Sequence, residues 1–426
     1  MKKNLALLLI VVMIFSLSGC NSSGTDQNAS PTVTESVKED PETTPTDAVA
    51  DVTPTAEPTE APATPTPTEA VPTATPTPDP VEGKSLKDLF AEHGMKVGTC
   101  LNMQMVNRTG VKNIILNNFN SVTMENEMKP DSILNQTKSK TEGKIVVEFR
   151  SDALKMMEWA KENNYSMRGH TLIWYSQTPE WIFHEDFDSS NPYVDRDTML
   201  ERMEGYIRDV FQTIEDLGYT DLFYAYDIVN EAWLDNGQIR KNHWTEIIGD
   251  DYLWYAFYYA DKYAPESIDL YYNDFNEQFK TQALVKFVNT LVDEDGRYLI
   301  DGIGLQAHLY TNDDLNSYFN TLDTLGETGL KLQLTELDVC LGSYQHPLTG
   351  NDENFKKQGR FYYELIKGIF ERVDEGKVNM DALTFWGITD TMSWRKEYKP
   401  LLYNELLRPK YALYGVFQLK EYAGFE

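Results

Sequence analysis

The sequence predicts an α/β fold in which eight parallel strands close into a (β/α)8 barrel. Short apolar or β-branched runs recur through residues 84–426, and most of them end in polar residues. Segments with apolar residues at three- and four-residue spacing lie between several of these runs, as in helices that pack one face against a sheet. Near-continuous apolar strands that alternate with such helices indicate parallel strands buried on both faces.

Eight runs have the length and composition of strands, and this number favours a closed barrel. An open doubly wound sheet is the alternative, but such a sheet usually carries a nucleotide-binding glycine loop after its first strand, and none follows here. The predicted strands are Lys96–Leu101, Ser121–Glu125, Met167–Trp174, Tyr224–Asn230, Asp269–Asn273, Gly302–His308, Lys331–Glu336 and Ala382–Thr389, and the clearest helices are Ser151–Asn163, Met199–Leu217 and Asn354–Glu375.

Residues 1–20 have the composition of a secretion signal. Lys2 and Lys3 give a positive start, and the apolar stretch Leu5–Phe15 is too short to span a bilayer comfortably. The signal ends in Leu-Ser-Gly-Cys, which resembles the cleavage box of bacterial lipoproteins, in which the cysteine is lipidated and becomes the N-terminus. We therefore predict lipidation at Cys20. An ordinary signal peptide that happens to contain a cysteine is the alternative.

Residues 21–83 are predicted to be a disordered linker. They contain twelve of the chain's 19 prolines, many in Thr-Pro pairs, and no aromatic residue. Such a segment cannot bury enough apolar surface to offset its chain entropy, and its proline density favours an extended spacer. The linker either lifts the following domain away from a membrane or is a spacer without a length requirement.

The formal net charge of the chain is −29. The signal contributes +2 and the linker −11, from one lysine and twelve acidic residues, which leaves −20 for residues 84–426. A surface of this sign repels nucleic acid and anionic lipid. We therefore expect no nucleic-acid partner and membrane contact only through the lipid anchor. We also expect a monomer. The charge suits a neutral substrate, although solubility alone also explains it.

Cysteine and metal-binding patterns are sparse. After the signal only Cys100 and Cys340 remain, each beside a strand-like run, and we expect two buried thiols rather than a disulfide. The six histidines form no H-E-x-x-H motif, and neither a C-x-x-C pair nor a phosphate-binding glycine loop is present. The sequence therefore predicts no metal site and no cofactor.

Polar residues stand at the carboxyl ends of seven predicted strands, where the chemistry of (β/α)8 barrels takes place. One polar residue at a strand end is usually a loop start, but seven in register are hard to explain in that way. Two of them, Glu231 in DIVNEAW and Glu336 in LQLTELDV, supply the paired carboxyl groups that acid–base cleavage of a sugar linkage needs. The full set is Glu125 and Asn126, His170 and Trp174, Asn230 and Glu231, Asn273 and Asp274, Gln306 and His308, Glu336 and Asp338, and Trp386.

The motifs around these residues resemble those of glycoside hydrolase family 10, the endo-β-1,4-xylanases. The matching segments are TMENEMKPD, RGHTLIWYSQTPEW, DIVNEAW, NDFN, GIGLQAHL, TELDV and WGITDTMSW, and the resemblance runs from about Ser85 to Phe425. It implies that residues 84–426 are a TIM-barrel catalytic domain that hydrolyses internal β-1,4 bonds of xylan and xylo-oligosaccharides with retention of configuration. With the lipid anchor, it implies an extracellular enzyme at the cell surface.

The resemblance also implies roles for individual residues. Glu231 corresponds to the acid/base and Glu336 to the nucleophile, with the two carboxyl groups about 5–5.5 Å apart. His308 corresponds to a histidine that forms a hydrogen bond with the nucleophile, and Asp338 orients that histidine. Asp227 is expected to support the residues that contact the substrate without contacting it itself. The residues expected to bind substrate are Glu125, Asn126, Lys129, His170, Trp174, Gln177, Asn230, Gln306, His308, Trp386 and Trp394.

Several positions depart from the family pattern. Pro130, Tyr175 and Phe275 stand where tryptophan, histidine and tyrosine are frequent, and the C-terminal LRPKYALYG matches loosely. These departures leave open the part of the cleft beyond the cleaved bond. Two other functions remain as alternatives: another retaining barrel glycosidase, such as a glucanase, and a non-catalytic polysaccharide-binding lipoprotein, which would not need both Glu231 and Glu336.

Overall fold

The computed structural model describes residues 79–425. The predicted signal 1–20 with Cys20, and residues 21–78 of the predicted linker, lie outside the described residues, so the predictions for them remain predictions. Residues 79–83, at the end of the predicted linker, form a turn, and Val81 packs against the core of the following domain. Between residues 79 and 425 no helix combines the length and the apolar character needed to cross a membrane.

The described residues contain one sheet in which all paired strands are parallel. The apolar runs form these strands because both of their faces are covered, one by the barrel interior and the other by helices. Its strands are β1 (Lys96–Leu101), β2 (Ser121–Met124), β3 (Ser166–Gly169), β4 (Phe223–Asn230), β5 (Asp269–Asp274), β6 (Gly302–Leu305), β7 (His308–Tyr310), β8 (Lys331–Cys340) and β9 (Asn379–Phe385).

The sheet closes into a barrel, which confirms the predicted fold. Strands β1 to β6 pair in chain order, β6 pairs with β8, β8 with β9, and β9 returns to β1. The short β7 continues the course of β6 and pairs with the outer half of β8, with His308 opposite Asp338. β6 and β7 therefore occupy one position of an eight-position barrel.

Thirteen α-helices lie in the described part of the chain, and the longest alternate with the strands. The three clearest predicted helices are present, with ends within three residues of the prediction. The helices are α1 (Leu86–Ala91), α2 (Met103–Val106), α3 (Thr109–Asn118), α4 (Pro130–Ile133), α5 (Gln136–Glu142), α6 (Ser151–Glu162), α7 (Arg196–Asp216), α8 (His243–Ile247), α9 (Tyr252–Tyr263), α10 (Glu277–Val288), α11 (Leu315–Gly326), α12 (Asp352–Asp374) and α13 (Tyr411–Val416).

Helix α7 illustrates how the sequence specifies these elements. The side chain of Asp195 accepts a hydrogen bond of 2.8 Å from the backbone N–H of Thr198 and so caps the first turn. Met203, Ile207 and Val210 follow at three- and four-residue spacing and are fully buried against the barrel. The helix thus has a defined start and one apolar face.

Several predicted strand bounds were wrong at the carboxyl-terminal ends of the strands. The third strand is regular only to Gly169, after which Ile173 forms an isolated bridge to Val229. The sixth predicted strand is interrupted at Ala307, whose φ is +56°, because the chain must turn there before pairing resumes. Apolar composition shows that a segment is buried, but it does not show where hydrogen-bond pairing stops.

The prediction for the cysteines is confirmed. Cys100 lies in β1 and Cys340 ends β8, and both are buried free thiols. Burial raises the pKa of each thiol, which keeps both protonated and unreactive.

Candidate active site

Two buried carboxyl groups lie at the carboxyl-terminal end of the barrel strands. Glu231 follows the last residue of β4 and has a φ of +55°, and Glu336 lies in the outer half of β8. Their exposed fractions are 8% and 5%. Burying a charged carboxylate is costly unless hydrogen-bond donors or cations compensate, so the groups around each glutamate decide whether it is ionised.

Glu336 is surrounded by donors and cations. Asn273, at the end of β5, donates from Nδ2 to Oε1 at 2.8 Å, and Nε2 of His308 lies 3.3 Å from Oε2. Burial alone would raise the pKa of Glu336, but the hydrogen bond from His308, the charges of His170 and His308, and the Asn273 amide together lower it to about 2. Glu336 is therefore ionised at neutral pH, as a nucleophile must be.

His308 connects Glu336 to a second buried acid. Its Nδ1 lies 3.1 Å from Oδ1 of Asp338, which is fully buried. Burial opposes a charge on the imidazole, but Asp338 and Glu336 outweigh it and raise the pKa of His308 to about 9. The imidazole is thus a cation between two carboxylates. Arg395 makes an ion pair with the same Asp338 oxygen.

Glu231 has neutral partners. Gln306 donates from Nε2 to Glu231 Oε1 at 2.9 Å, and Asn230 donates to the same oxygen at 3.2 Å. The backbone carbonyl of Glu231 accepts a hydrogen bond of 3.0 Å from Nε of Arg240, which holds the backbone at Glu231 in place. The described residues provide no cation within salt-bridge distance of the Glu231 carboxyl group, in contrast to Glu336.

An amide chain links the two carboxyl groups. Asn273 Nδ2 donates both to Glu336 and, at 2.9 Å, to Oδ1 of Asn230, which in turn contacts Glu231. The Asn273 carbonyl accepts from the Thr335 hydroxyl at 2.6 Å, which leaves the Asn273 amide hydrogens directed towards the site. The distance between the carboxyl groups is therefore set by buried, mutually bonded side chains.

Five predicted sugar-binding residues form a cluster beyond β2 and β3. Lys129 Nζ lies 3.1 Å from Asn126 Oδ1 and 5.2 Å from the centre of the Trp174 ring, and Gln177 donates to Asn126 at 3.3 Å. Glu125 accepts from Asn102 at 2.9 Å. Burial lowers the pKa of Lys129, although the carboxylates of Glu336, Glu125 and Glu231 oppose this. These groups offer both donors and acceptors to a hydroxylated ligand.

His170 is fixed by an ion-pair network inside the barrel. Its Nδ1 lies 2.8 Å from Oδ2 of Asp227, and both oxygens of Asp227 accept from Arg168. Asp227 is fully buried and Arg168 is 1% exposed. The Asp227 carboxylate thus holds one ring nitrogen of His170 and leaves the other free.

Trp386 and Trp394, the last two residues expected to bind substrate, differ in exposure. Trp386 is 6% exposed and its ring centre lies 5.6 Å from that of His170, edge to face. Trp394 is 64% exposed and contacts His308 edge to face at 5.4 Å. An exposed ring beside the ionised carboxylate offers a flat apolar surface to a sugar ring. Of the other tryptophans, Trp159, Trp181 and Trp244 are buried, whereas Trp254 is partly buried and packs against the core.

Three residues that organise the site were missed or only partly recognised in the sequence. Asn273 was recognised as a strand-end residue without a role, although it bridges Asn230 and Glu336. Arg168 is in the RGHTLIW motif and Arg395 follows the motif ending in Trp394, but nothing in those motifs indicates their buried acidic partners. Within residues 79–425 no group of His, Cys, Asp or Glu side chains is arranged to hold a metal ion.

A (β/α)8 barrel with two buried carboxyl groups of opposite environment at its strand ends has the arrangement of a glycoside hydrolase. The chain belongs to glycosyl hydrolase family 10, whose family model matches residues 85–419.

Several known proteins are similar to this chain. Endo-1,4-beta-xylanase B of Butyrivibrio fibrisolvens is 33% identical over 337 residues, which are 76% of this chain and 51% of that protein. Bifunctional endo-1,4-beta-xylanase XylA of Ruminococcus flavefaciens is 35% identical over 347 residues, 79% of this chain and 34% of that protein. The chain therefore spans about half or less of the length of these two relatives.

A solved structure has the same fold. It contains the CBM22-1 and GH10 modules of the N-terminal endo-1,4-beta-D-xylanase 10B of Clostridium thermocellum with xylohexaose. The superposition has a TM-score of 0.71 and 32% sequence identity, and it covers 78% of this chain and 67% of that chain.

Proposed function

We propose that this protein is an endo-1,4-β-xylanase that hydrolyses internal bonds of xylan with retention of configuration. The observation that carries the proposal is the difference between the two carboxyl groups. Glu336 is held ionised by His308 and Asn273, whereas the partners of the Glu231 carboxyl group are uncharged: the amides of Gln306 and Asn230 and the Tyr175 hydroxyl. Retaining hydrolysis needs this pairing of a permanent anion with a group that can carry a proton.

In the first step the Glu336 carboxylate attacks the anomeric carbon of the sugar on the non-reducing side of the cleaved bond. The bond from that carbon to the bridging oxygen breaks, and the Glu231 carboxyl group gives its proton to the leaving oxygen. The product is a covalent glycosyl-enzyme on Glu336, and Glu231 is left ionised. Asn230 contacts Glu231 and Asn273, and Asn273 donates to Glu336. Asn230 is therefore suited to bind the 2-hydroxyl of the same sugar, a bond that strengthens in the transition state.

In the second step the ionised Glu231 removes a proton from water, and the water oxygen attacks the anomeric carbon. The ester bond to Glu336 breaks, the carboxylate is restored and the proton stays on Glu231 for the next cycle. Two inversions give net retention. His308 stays cationic through both steps and stabilises the departing Glu336 carboxylate.

The groups around the two glutamates are assigned to sugar recognition. Trp386 and Trp394 form walls for the sugars on the side of Glu336, and His170 and Gln306 bond hydroxyl groups near the cleaved bond. The cluster of Glu125, Asn126, Lys129, Trp174 and Gln177 binds the next sugar along. Neutral sugars with many hydroxyl groups match this mixture of aromatic faces and paired donors and acceptors.

The proposed location is the outer surface of a bacterial cell, with Cys20 lipidated and residues 21–83 as a tether. The support is the Leu-Ser-Gly-Cys box and the Thr-Pro composition of the tether. Expression of the full chain in bacteria should place the protein in the membrane fraction, and mass spectrometry of its mature N-terminal peptide should find a lipid on Cys20. A mature protein whose Cys20 is present and unmodified would contradict lipidation at this residue.

The activity is tested by reducing-sugar release from xylan, carboxymethyl-cellulose and mannan with the full chain. Release from xylan alone, lost in Glu336→Gln, supports the proposal. Glu327→Gln at an exposed position on the barrel exterior is the matched control and should keep full activity. Release from the glucan instead would retain the mechanism and change the substrate. No release, with xylan still bound, would favour a polysaccharide-binding protein.

A further inference from the structure

Arg395 is a buried cation that pairs with Asp338, two residues after the proposed nucleophile, and the mechanism above gives it no role. It lies in the segment after β9, is 6% exposed, and makes an ion pair from Nη1 to Oδ1 of Asp338. Its guanidinium carbon lies 4.6 Å from the centre of the Tyr310 ring, which packs against it. A buried arginine of this kind is held in one orientation.

Arg395 and His308 share one oxygen of Asp338. His308 Nδ1 lies 3.1 Å from Oδ1, within ion-pair distance but without hydrogen-bond geometry, and Oδ2 has no hydrogen-bond partner among the described residues. The orientation of the Asp338 carboxylate therefore depends on Arg395, and the orientation of the imidazole depends on Asp338. Nε2 of the same imidazole lies 3.3 Å from Glu336. A continuous chain of contacts thus runs from Arg395 to the attacking carboxylate.

We propose that Arg395 is a positioning residue for the proposed nucleophile. It fixes Asp338 against His308 and adds a positive charge to the buried cluster that reaches Glu336 through His308. The inference deepens the proposed function and rests on it for the role of Glu336. Arg395 directly follows Trp394 in sequence, so one segment carries both a proposed sugar-binding ring and the charge that pairs with Asp338.

The charges in this cluster balance only when Arg395 is present. Glu336 and Asp338 contribute two negative charges, and His308 and Arg395 contribute two positive charges. Without Arg395 the buried cluster has a net negative charge, which makes ionisation of Glu336 harder and proton loss from His308 harder. The other titratable groups that face the cluster are Lys129 and His170 towards Glu336, Cys100 and Tyr362 towards Asp338, and Tyr310, Asp313 and Cys340 towards Arg395.

A purely structural ion pair is the competing explanation, because removing either partner of any buried pair destabilises a protein. The two explanations differ in the pH dependence of activity. A structural pair affects the amount of folded enzyme, whereas a positioning charge moves the protonation of Glu336 and His308 in the enzyme that remains folded.

The test uses the full chain with Arg395→Met, which removes the charge, and Arg395→Lys, which keeps it. For Arg395→Met we expect kcat/KM on an aryl β-xylobioside to fall by about 10- to 100-fold. The acid limb of the pH profile of kcat/KM should move to higher pH by about one unit in this variant. Arg395→Lys should keep the acid limb and lose activity through kcat. Arg372→Met is the matched control, because Arg372 pairs with Asp323 and lies 4.2 Å from the Phe319 ring, away from the site.

A folded Arg395→Met protein with an unmoved acid limb would overturn the proposal. If Arg395→Met does not fold, an unchanged kcat in Arg395→Lys would overturn it equally. The imidazole nitrogen signals of His308, followed by NMR over pH, give a readout that needs no activity. We expect the His308 midpoint to be higher in Arg395→Met than in the wild type, and equal midpoints would contradict the charge effect. An inactive wild type with this shift would reject the proposed function and leave the role of Arg395 on His308 supported.

Discussion

Replacement of Asn273 by alanine tests whether the amide chain between the two glutamates controls the ionisation of Glu336, the proposed nucleophile. Asn273 is fully buried and donates to Glu336 at 2.8 Å and to Asn230 at 2.9 Å. A hydrogen bond to a charged group contributes about 1.5–3 kcal/mol, and one pKa unit corresponds to about 1.4 kcal/mol. Loss of the Asn273 donor therefore raises the pKa of Glu336 by about one to two units from its value of about 2.

The pH profile of kcat/KM provides the assay, because its acid limb should report ionisation of the proposed nucleophile, Glu336, in the free enzyme. In Asn273→Ala the acid limb should move to higher pH by about one to two units, the same amount as the pKa of Glu336. Asn289→Ala, at an exposed position after α10, is the control and should leave the profile unchanged. A folded, active Asn273→Ala enzyme with the wild-type acid limb would refute the assignment of Asn273 as a determinant of the nucleophile's charge.

The same substitution has a defined effect on stability. The folded-state pKa of Glu336 lies below the ordinary value of 4.5, so its ionised form stabilises the fold above about pH 4.5 and this contribution is lost as pH falls towards 2. Asn273→Ala weakens that contribution and also orphans the Thr335 hydroxyl. The deficit in unfolding free energy should therefore be largest near pH 7 and should shrink below about pH 4, as measured by urea unfolding.

Three further predictions follow from the site and its surroundings. Glu231→Ala should reduce kcat on xylan by about 10²- to 10⁴-fold, with a smaller loss on an aryl xyloside whose leaving group needs no proton, and equal losses on both would contradict the acid/base role. Asp227→Ala should destabilise the protein by about 3–5 kcal/mol in urea unfolding because it leaves Arg168 buried and unpaired, whereas the exposed Asp251→Ala should change stability little. Burial raises the pKa of Glu277 to about 8, so the stabilising contribution of its protonated form is complete below pH 4.5 and is lost as pH rises to about 8. In thermal unfolding, Glu277→Gln should flatten this decline of stability with pH. An unchanged slope of stability against pH would contradict the shift.

The sequence contains enough information to predict the barrel and the position of its site. Strands that are buried on both faces need continuous apolar runs, and eight of these runs are visible. Because parallel strands present their carboxyl ends at one face of a barrel, polar residues at those ends predict a common site before any contact is known. Glu231, Glu336 and His308 could be identified in this way, and the structure brings them together.

The connections between those residues could not be predicted in the same way. Asn273 and Arg395 act through partners that are distant in the sequence, and neither residue type nor spacing identifies such a partner. The interruption at Ala307 has a similar cause, because an apolar pattern continues through a point where the backbone leaves the sheet. Side-chain pairing and local backbone turns depend on the folded arrangement, whereas burial depends mainly on composition.

The central claim is that Glu336 is the nucleophile and forms a covalent intermediate. The most direct test is incubation of the full chain with an activated 2-deoxy-2-fluoro-xylobioside, which slows the second step, followed by proteolysis and mass spectrometry of the peptides. The mechanism predicts a single disaccharide adduct on the peptide that contains Glu336. An adduct on a different residue would contradict the assignment, and the absence of any adduct in an enzyme that cleaves xylan would contradict the double displacement.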